Sequence, residues 1–171
     1  KNNKRWELLN IPSDNVIKNV YNPDDYREKL MYQYTSARLY YGSYYSENTW
    51  NGFRKLINND IQKSKKGADF KEIANSIRNG STKLETLRNT VRYLRDHYQW
   101  NRHTAVKSFN LASDLLKKKT GNTADFNIVL EEILKVKNIQ SEIAVNSLRS
   151  NGRIIVAYPT FSKLQTLVNI V

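Results

Sequence analysis

The stretch Lys117-Lys118-Lys119-Thr120-Gly121-Asn122-Thr123-Ala124-Asp125-Phe126-Asn127-Ile128-Val129-Leu130-Glu131-Glu132-Ile133-Leu134-Lys135-Val136 decides how this chain folds, because it holds the end of one helix and the start of the next. Phe109, Leu111, Ala112, Leu115 and Leu116 recur at helical spacing. The three lysines that follow suit a helix C-terminus, and Thr120-Gly121 ends the element. Asn122 through Asp125 carries a second cap, since a side-chain oxygen at the cap accepts from a first-turn amide and an acid there meets the positive helix end. Phe126, Ile128, Val129, Leu130, Ile133, Leu134 and Val136 are apolar on most sides, which a helix tolerates only when protein surrounds it. This helix is expected to be the buried one.

Upstream, Thr82 to Glu85 reads as a capping box opening a helix to about Trp100, with Leu84, Leu87, Val91 and Leu94 as its apolar face. Asp69 caps a shorter helix that turns Phe70, Ile73, Ala74 and Ile77 inward and stops at Gly80. Trp50, Phe53, Leu56, Ile57 and Ile61 predict a helix from about Thr49 to Gln62, capped by Ser46 or Asn48. From Glu28 to Tyr41 the alternation of Leu30, Tyr32 and Tyr34 predicts a strand, its tyrosines forming a half-buried sheet surface, before Gly42 to Asn48 breaks the pattern. Residues 1–27 are polar and irregular, interrupted by Pro12 and Pro23, and read as an arm. Downstream, Ser141 to Arg149 and Arg153 to Tyr158 read as strands of a hairpin turning at Asn151-Gly152, and a last strand runs from about Leu164 to Val171. A strand, five helices and then strands is the α+β pattern, helices packed on a small antiparallel sheet.

The 171 residues suit one domain, and 39% hydrophobic with 26% charged residues, six Gly and three Pro exclude collagen-like, low-complexity and disordered classes. No apolar run approaches the roughly 20 residues of a membrane-spanning helix, and mean hydropathy is -0.70. Zero cysteines remove disulfides, thiolate metal sites, iron–sulfur clusters and a cysteine nucleophile together. The chain begins at Lys1, its one methionine is Met31, and it ends in the apolar run Leu167 to Val171, so it is expected to be an excised piece continuing beyond both ends.

Net charge is +12, concentrated between Arg78 and Lys119. Arg88, Arg92 and Arg95 follow i, i+4, i+7 spacing and form a stripe which, with Lys117, Lys118 and Lys119, is a candidate surface for nucleic acid or another anionic polymer. The competing reading is a solvated helix flank plus lysines satisfying a helix C-terminus, and the lack of a zinc-finger, basic-zipper or RNP pattern favours it. His97 is expected at the edge of the apolar face, partly buried, and His103 exposed beyond the helix end. Neither has a third ligand at metal-binding spacing, so no metal and no cofactor is expected. Gly-x-Ser-x-Gly, P-loop and dinucleotide-binding glycine patterns are also missing.

The stretch from Lys117 to Val171 resembles the core of the transglutaminase-like superfamily, which is related in architecture to papain-like thiol enzymes. The likeness is most specific at Gly121-Asn122-Thr123-Ala124-Asp125, where active relatives carry Gly-x-Cys-x-Asp with the cysteine at the N-terminus of the buried helix. It implies that Thr123 stands at the cysteine position and Thr166 at the histidine position, while the third catalytic residue would lie on a strand after Val171. The chain is more similar still to a subset in large secreted or envelope proteins of Gram-negative bacteria, where a β-rich domain of unknown function precedes this core. That likeness rests on Pro23-Asp24-Asp25-Tyr26-Arg27, Tyr98-Gln99-Trp100-Asn101 and Thr120-Gly121-Asn122. It implies an arm and strand from the end of that preceding domain over residues 1–48, the transglutaminase-like core over residues 49–171, and a periplasmic, outer-membrane-associated or secreted location.

A dipole-activated thiol beside an imidazole would be a nucleophile and its base; a threonine hydroxyl lacks such acidity and needs a base that is not evident here. The expectation is a catalytically inactive domain, Thr123 being a first-turn residue of a helix capped by Asn122, with Asp125 favoured near its positive end. Its use would be as a monomeric binding or scaffold module with a groove lined by Thr123, Thr166 and Trp100, taking a peptide, protein or glycan. Two other readings stay open: the basic surface, or an enzyme completed by residues outside this chain.

Overall fold

The computed structural model describes residues 7, 9, 10, 22–26, 36–39, 42–45, 49–108 and 110–171. Among these the architecture is α+β, with five α-helices and three two-stranded β pairings. A 3-10 turn at Pro23–Tyr26 precedes a hairpin of β1 (Ser36–Leu39) and β2 (Gly42–Tyr45). Gly42 therefore opens a strand rather than ending the pattern. Leu30, Tyr32, Tyr34, Ser46, Asn48 and Phe109, all invoked from the sequence, lie outside the described residues.

Helix α1 (Trp50–Ser64) is capped by Thr49, whose hydroxyl accepts from the Gly52 amide at 3.0 Å. Helix α2 (Phe70–Ser76) is capped by Asp69, as its sequence predicts, but ends before Gly80. Helix α3 (Lys83–His97) is capped by Thr82, which accepts from the Glu85 amide at 3.1 Å. The Glu85 carboxylate reaches one residue further back than a capping box requires, to the amide and hydroxyl of Ser81. Hydrogen bonds from Ser81 hold this carboxyl below its ordinary range, and Arg78 and Arg88 add to the effect.

The inward face of α3 departs from expectation. Thr86, Thr90 and Leu94 are buried, whereas Leu84 and Val91 are 55% and 46% exposed. The threonines go inside because each hydroxyl is satisfied within the helix, Thr86 donating to the Thr82 carbonyl at 3.0 Å and Thr90 to the Thr86 carbonyl at 2.9 Å. Helix α3 also stops at His97, because Gln99-Trp100 forms β3 and pairs in parallel with β4, Thr120-Gly121. His97 is exposed rather than partly buried, stacked on the Tyr93 ring at 4.1 Å.

Helix α4 (Ala112–Lys118) closes on Lys119 in the left-handed conformation, φ 60°. After β4 comes α5 (Thr123–Val136), with Ile128, Val129, Ile133 and Leu134 essentially inaccessible. It packs two cores at once. Val129 and Ile133 meet Ile73, Ile77, Leu94, Tyr98 and Leu115 of α2 to α4, while Ala124 and Ile128 meet Phe53, Ile57 and Ile61 of α1 together with Leu164 and Leu167. Each such side chain contributes about 1.5–3 kcal/mol relative to exposure, so α5 is the shared wall between the two halves.

The final sheet pairs β5 (Glu142–Asn146) with β6 (Thr166–Ile170) antiparallel, Asn146 opposite Thr166 and Glu142 opposite Ile170. The expected hairpin at Asn151-Gly152 does not form. Arg149–Asn151 makes a 3-10 turn, Gly152 takes φ 78°, and 153–158 makes no strand. Side chains take the backbone groups a ladder would use: both Asp25 carboxylate oxygens accept from the Arg153 amide, at 3.1 and 3.2 Å, and the Trp50 indole donates to the Val156 carbonyl at 2.8 Å. A Cβ on Gly152 would also lie 2.4 Å from Asp25 Oδ1.

An ion-pair network joins α1 to α5. Lys65 meets Glu131 at 2.8 Å and Glu132 at 2.6 Å, and Lys135 binds both acids. Burial pushes the Glu132 carboxyl up, but hydrogen bonds and charge from Lys65 and Lys135 outweigh it and hold the group below its ordinary value. Its stabilising contribution is thus present above the unfolded carboxylate pKa and lost as pH falls through the lowered folded one. Lys65→Met, which leaves a largely buried acid short of a donor, should cost about 1–3 kcal/mol near neutral pH. The deficit should shrink as pH drops below about 4, measured by urea unfolding across pH.

Candidate functional site

The site is built around the first turn of α5. Asn122 Oδ1 accepts from the Asp125 amide at 2.9 Å and Asp125 Oδ2 accepts from the Asn122 amide at 2.8 Å, a reciprocal capping box. Both residues are buried. Gly121 is needed for space, not for a special backbone conformation: a Cβ there would stand 2.8 Å from Leu115 Cδ1 and 2.9 Å from both Cβ and Oδ2 of Asp125. The Gly-x-x-x-Asp spacing thus lets an acid fold back onto the chain just ahead of its own helix.

Residues 101–108, between β3 and α4, strap across this helix end. The Asn101 amide donates to the Gly121 carbonyl at 2.9 Å, the Thr123 amide to the His103 carbonyl at 3.1 Å, and Asn122 Nδ2 to the Lys107 carbonyl at 3.2 Å. Ser108 Oγ donates to Asp125 Oδ1. Arg102 sits at φ 67°, a left-handed conformation that costs a non-glycine residue about 1–2 kcal/mol and that these bonds offset. Sequence reasoning missed the strap, and its only trace there is the loss of periodicity between two helical patterns.

The structure brings Thr123 and Thr166 together, with Thr166 Oγ1 donating to Thr123 Oγ1 at 3.2 Å from β6. The Ala105 amide also donates to Thr123 Oγ1, at 2.9 Å, and Thr123 Oγ1 donates to the Ala105 carbonyl at 3.2 Å. The one Thr166 proton is shared between Thr123 Oγ1 and the Leu167 carbonyl, 3.1 Å away, so the Thr123 hydroxyl holds its full complement only when Thr166 turns toward it. Its partners are backbone groups and another hydroxyl, with no side-chain base among them. A second link lies alongside, Asn169 Nδ2 donating to the Asn127 carbonyl at 2.9 Å while Asn127 Nδ2 donates to the Thr123 carbonyl at 2.8 Å.

Trp100 is 50% exposed, and its indole donates to the His103 carbonyl at 3.1 Å, against the strap. The adjacent depression of about 310 Å³ is walled by Thr104, Ala105, Val106, Lys107, Phe161, Leu164 and Gln165, one layer outside Thr123 and Thr166. Lys107 is drawn to Asp60 at 3.1 Å on its rim.

The candidate anion-binding residues do not form one cluster of free cations. Arg88, Arg92, Arg95, Lys117 and Lys118 are exposed. Arg95 pairs with Asp96 at 2.8 Å, which raises the arginine and lowers the acid. Lys119 donates to the Tyr98 hydroxyl at 3.1 Å and lies 4.3 Å from that ring's centroid, closing the α4–β4 turn. His103 is exposed. Among the described residues there is no group of three His, Asp or Glu placed to hold a metal, and no helix long and apolar enough to cross a membrane.

No protein-family model and no curated protein matches this chain. Among solved structures it is similar to a crystal structure described as a "putative protease" from Parabacteroides distasonis, with a TM-score of 0.58 and 13% sequence identity over 75% of this chain. The match spans 25% of that protein's length. At this identity the likeness establishes a shared fold.

Gly121→Ala should overpack the capping box and cost about 1–3 kcal/mol. Asn122→Ala should cost about 1 kcal/mol or more through the lost cap. Because both changes strain the same few atoms, the double variant in thermal unfolding should lose less than the sum.

Proposed function

We propose that this chain is a transglutaminase-like domain without catalytic activity, serving as a binding or scaffold module within a larger envelope or secreted protein. The partners of the Thr123 hydroxyl carry the reading. A nucleophile must lose its proton to a base, and the groups that bond the Thr123 oxygen are the Ala105 amide and carbonyl and the Thr166 hydroxyl, none of them a base. The fold shared with the Parabacteroides structure and the Gly121 to Asp125 framework support the family assignment. In the superfamily, these two positions hold a thiol and an imidazole facing each other at a helix N-terminus.

The ligand surface is the depression outside the strap. Phe161, Leu164 and Val106 offer it apolar contact, and Thr104, Gln165 and Lys107 offer polar contact, a mixture suited to a peptide or glycan segment.

The purified chain should neither hydrolyse amides nor transfer amines to glutamine substrates. Turnover that Thr123→Ala abolishes would overturn the proposal. Installing Thr123→Cys with Thr166→His should restore the electrostatics without turnover: thiol alkylation should titrate below the ordinary cysteine value of about 8.5. An unshifted titration would refute the assignment of these positions.

A further inference from the structure

We propose that the outer face of α3 docks an acidic amphipathic helix of a partner protein. Leu84, Arg88, Val91 and Arg95 stand at i, i+4, i+7 and i+11, one straight stripe. Arg92 lies beside it and Leu87, half-buried, borders its other edge. Leu84 and Val91 are exposed while the opposite side of the same helix buries Thr86 and Thr90. The helix buries Leu94 with its two threonines but leaves Leu84 and Val91 outside, and water is the least favourable neighbour for those two side chains.

Charge complementarity selects the occupant. The apolar strip runs directly beside Arg88 and Arg92, with Arg95 already shared with Asp96, so a partner must offer apolar side chains and acids in adjacent rows, as an amphipathic helix does along its heptad flanks. The stripe is about 16 Å long, three helical turns, which a partner helix would follow throughout. A second copy of this face would oppose arginine to arginine. A phosphate backbone would leave Leu84 and Val91 in water. The surface is independent of the Thr123 site, so either reading can fail alone.

The probe is a synthetic helical peptide with leucine at heptad positions a and d and glutamate at e and g, followed by fluorescence anisotropy at low salt. Saturable binding is expected, weakened about tenfold or more by Leu84→Gln with Val91→Gln and likewise by Arg88→Glu with Arg92→Glu. Glutamine keeps helix propensity at these exposed positions, so the melting temperature should not move. Absence of peptide binding, binding indifferent to the Leu84 and Val91 changes, or tighter capture of duplex DNA or phosphatidylglycerol vesicles would each overturn the assignment.

Discussion

The first turn of α5 is the constraint on which the rest of the domain depends. Asn122, Ala124 and Asp125 are buried at the N-terminus of α5, so its leading amides draw their partners from the protein itself. Asn122 and Asp125 satisfy two of them reciprocally, and His103 supplies a carbonyl to a third. The partners fix the course of the chain before and around them: β4 runs tight against β3, Gly121 has no side chain, and the strap 101–108 lies across the turn. Once the turn is placed, the helix projects Val129 and Ile133 to one side and Ala124 and Ile128 to the other, giving α2 to α4 and α1 with the β5–β6 pair a common partner.

The same arrangement sets what the site offers chemically. A buried helix N-terminus is a place of positive potential, suited to an anion. In this chain that potential meets the Asp125 carboxylate and backbone carbonyls. What faces outward is the strap's other side, where Thr104 to Lys107 with Phe161, Leu164 and Gln165 wall the depression. The strap thereby links the central helix to the surface, and a change in its path would be felt at both.

The sequence was most legible where one residue's local chemistry decides the outcome. Asp69, Thr82 and Asn122 all cap the helices they were expected to cap, and the density of apolar residues after Asp125 marked the buried helix. Thr123 and Thr166, 43 residues apart, were paired only through resemblance, since no periodicity relates a helix cap to a distant strand. Where tertiary partners compete, local reading failed. Asn151-Gly152 has the composition of a tight hairpin, but Asp25 takes the Arg153 amide and the turn closes on itself. On α3 the leucine and valine pattern held for Leu94 but not for Leu84 and Val91, because Thr86 and Thr90 satisfy their own hydroxyls within the helix and take places inside.

The contact between residues 22–26 and the Arg149 to Arg153 turn joins points distant in sequence: Asn22 Nδ2 donates to the Arg149 carbonyl at a separation of 127 residues. In a disordered chain, closing a loop of that size carries an entropic cost that grows with the logarithm of its length. Once the α1 to α5 core has formed, only the short path from Tyr26 to Thr49 remains to be closed, and the cost falls to that of a much smaller ring. Closing the clasp after the core has formed is therefore the order of lower entropic cost. The clasp can be lost while the interior stays intact, so its two ends act as a reporter of whether the domain has finished folding.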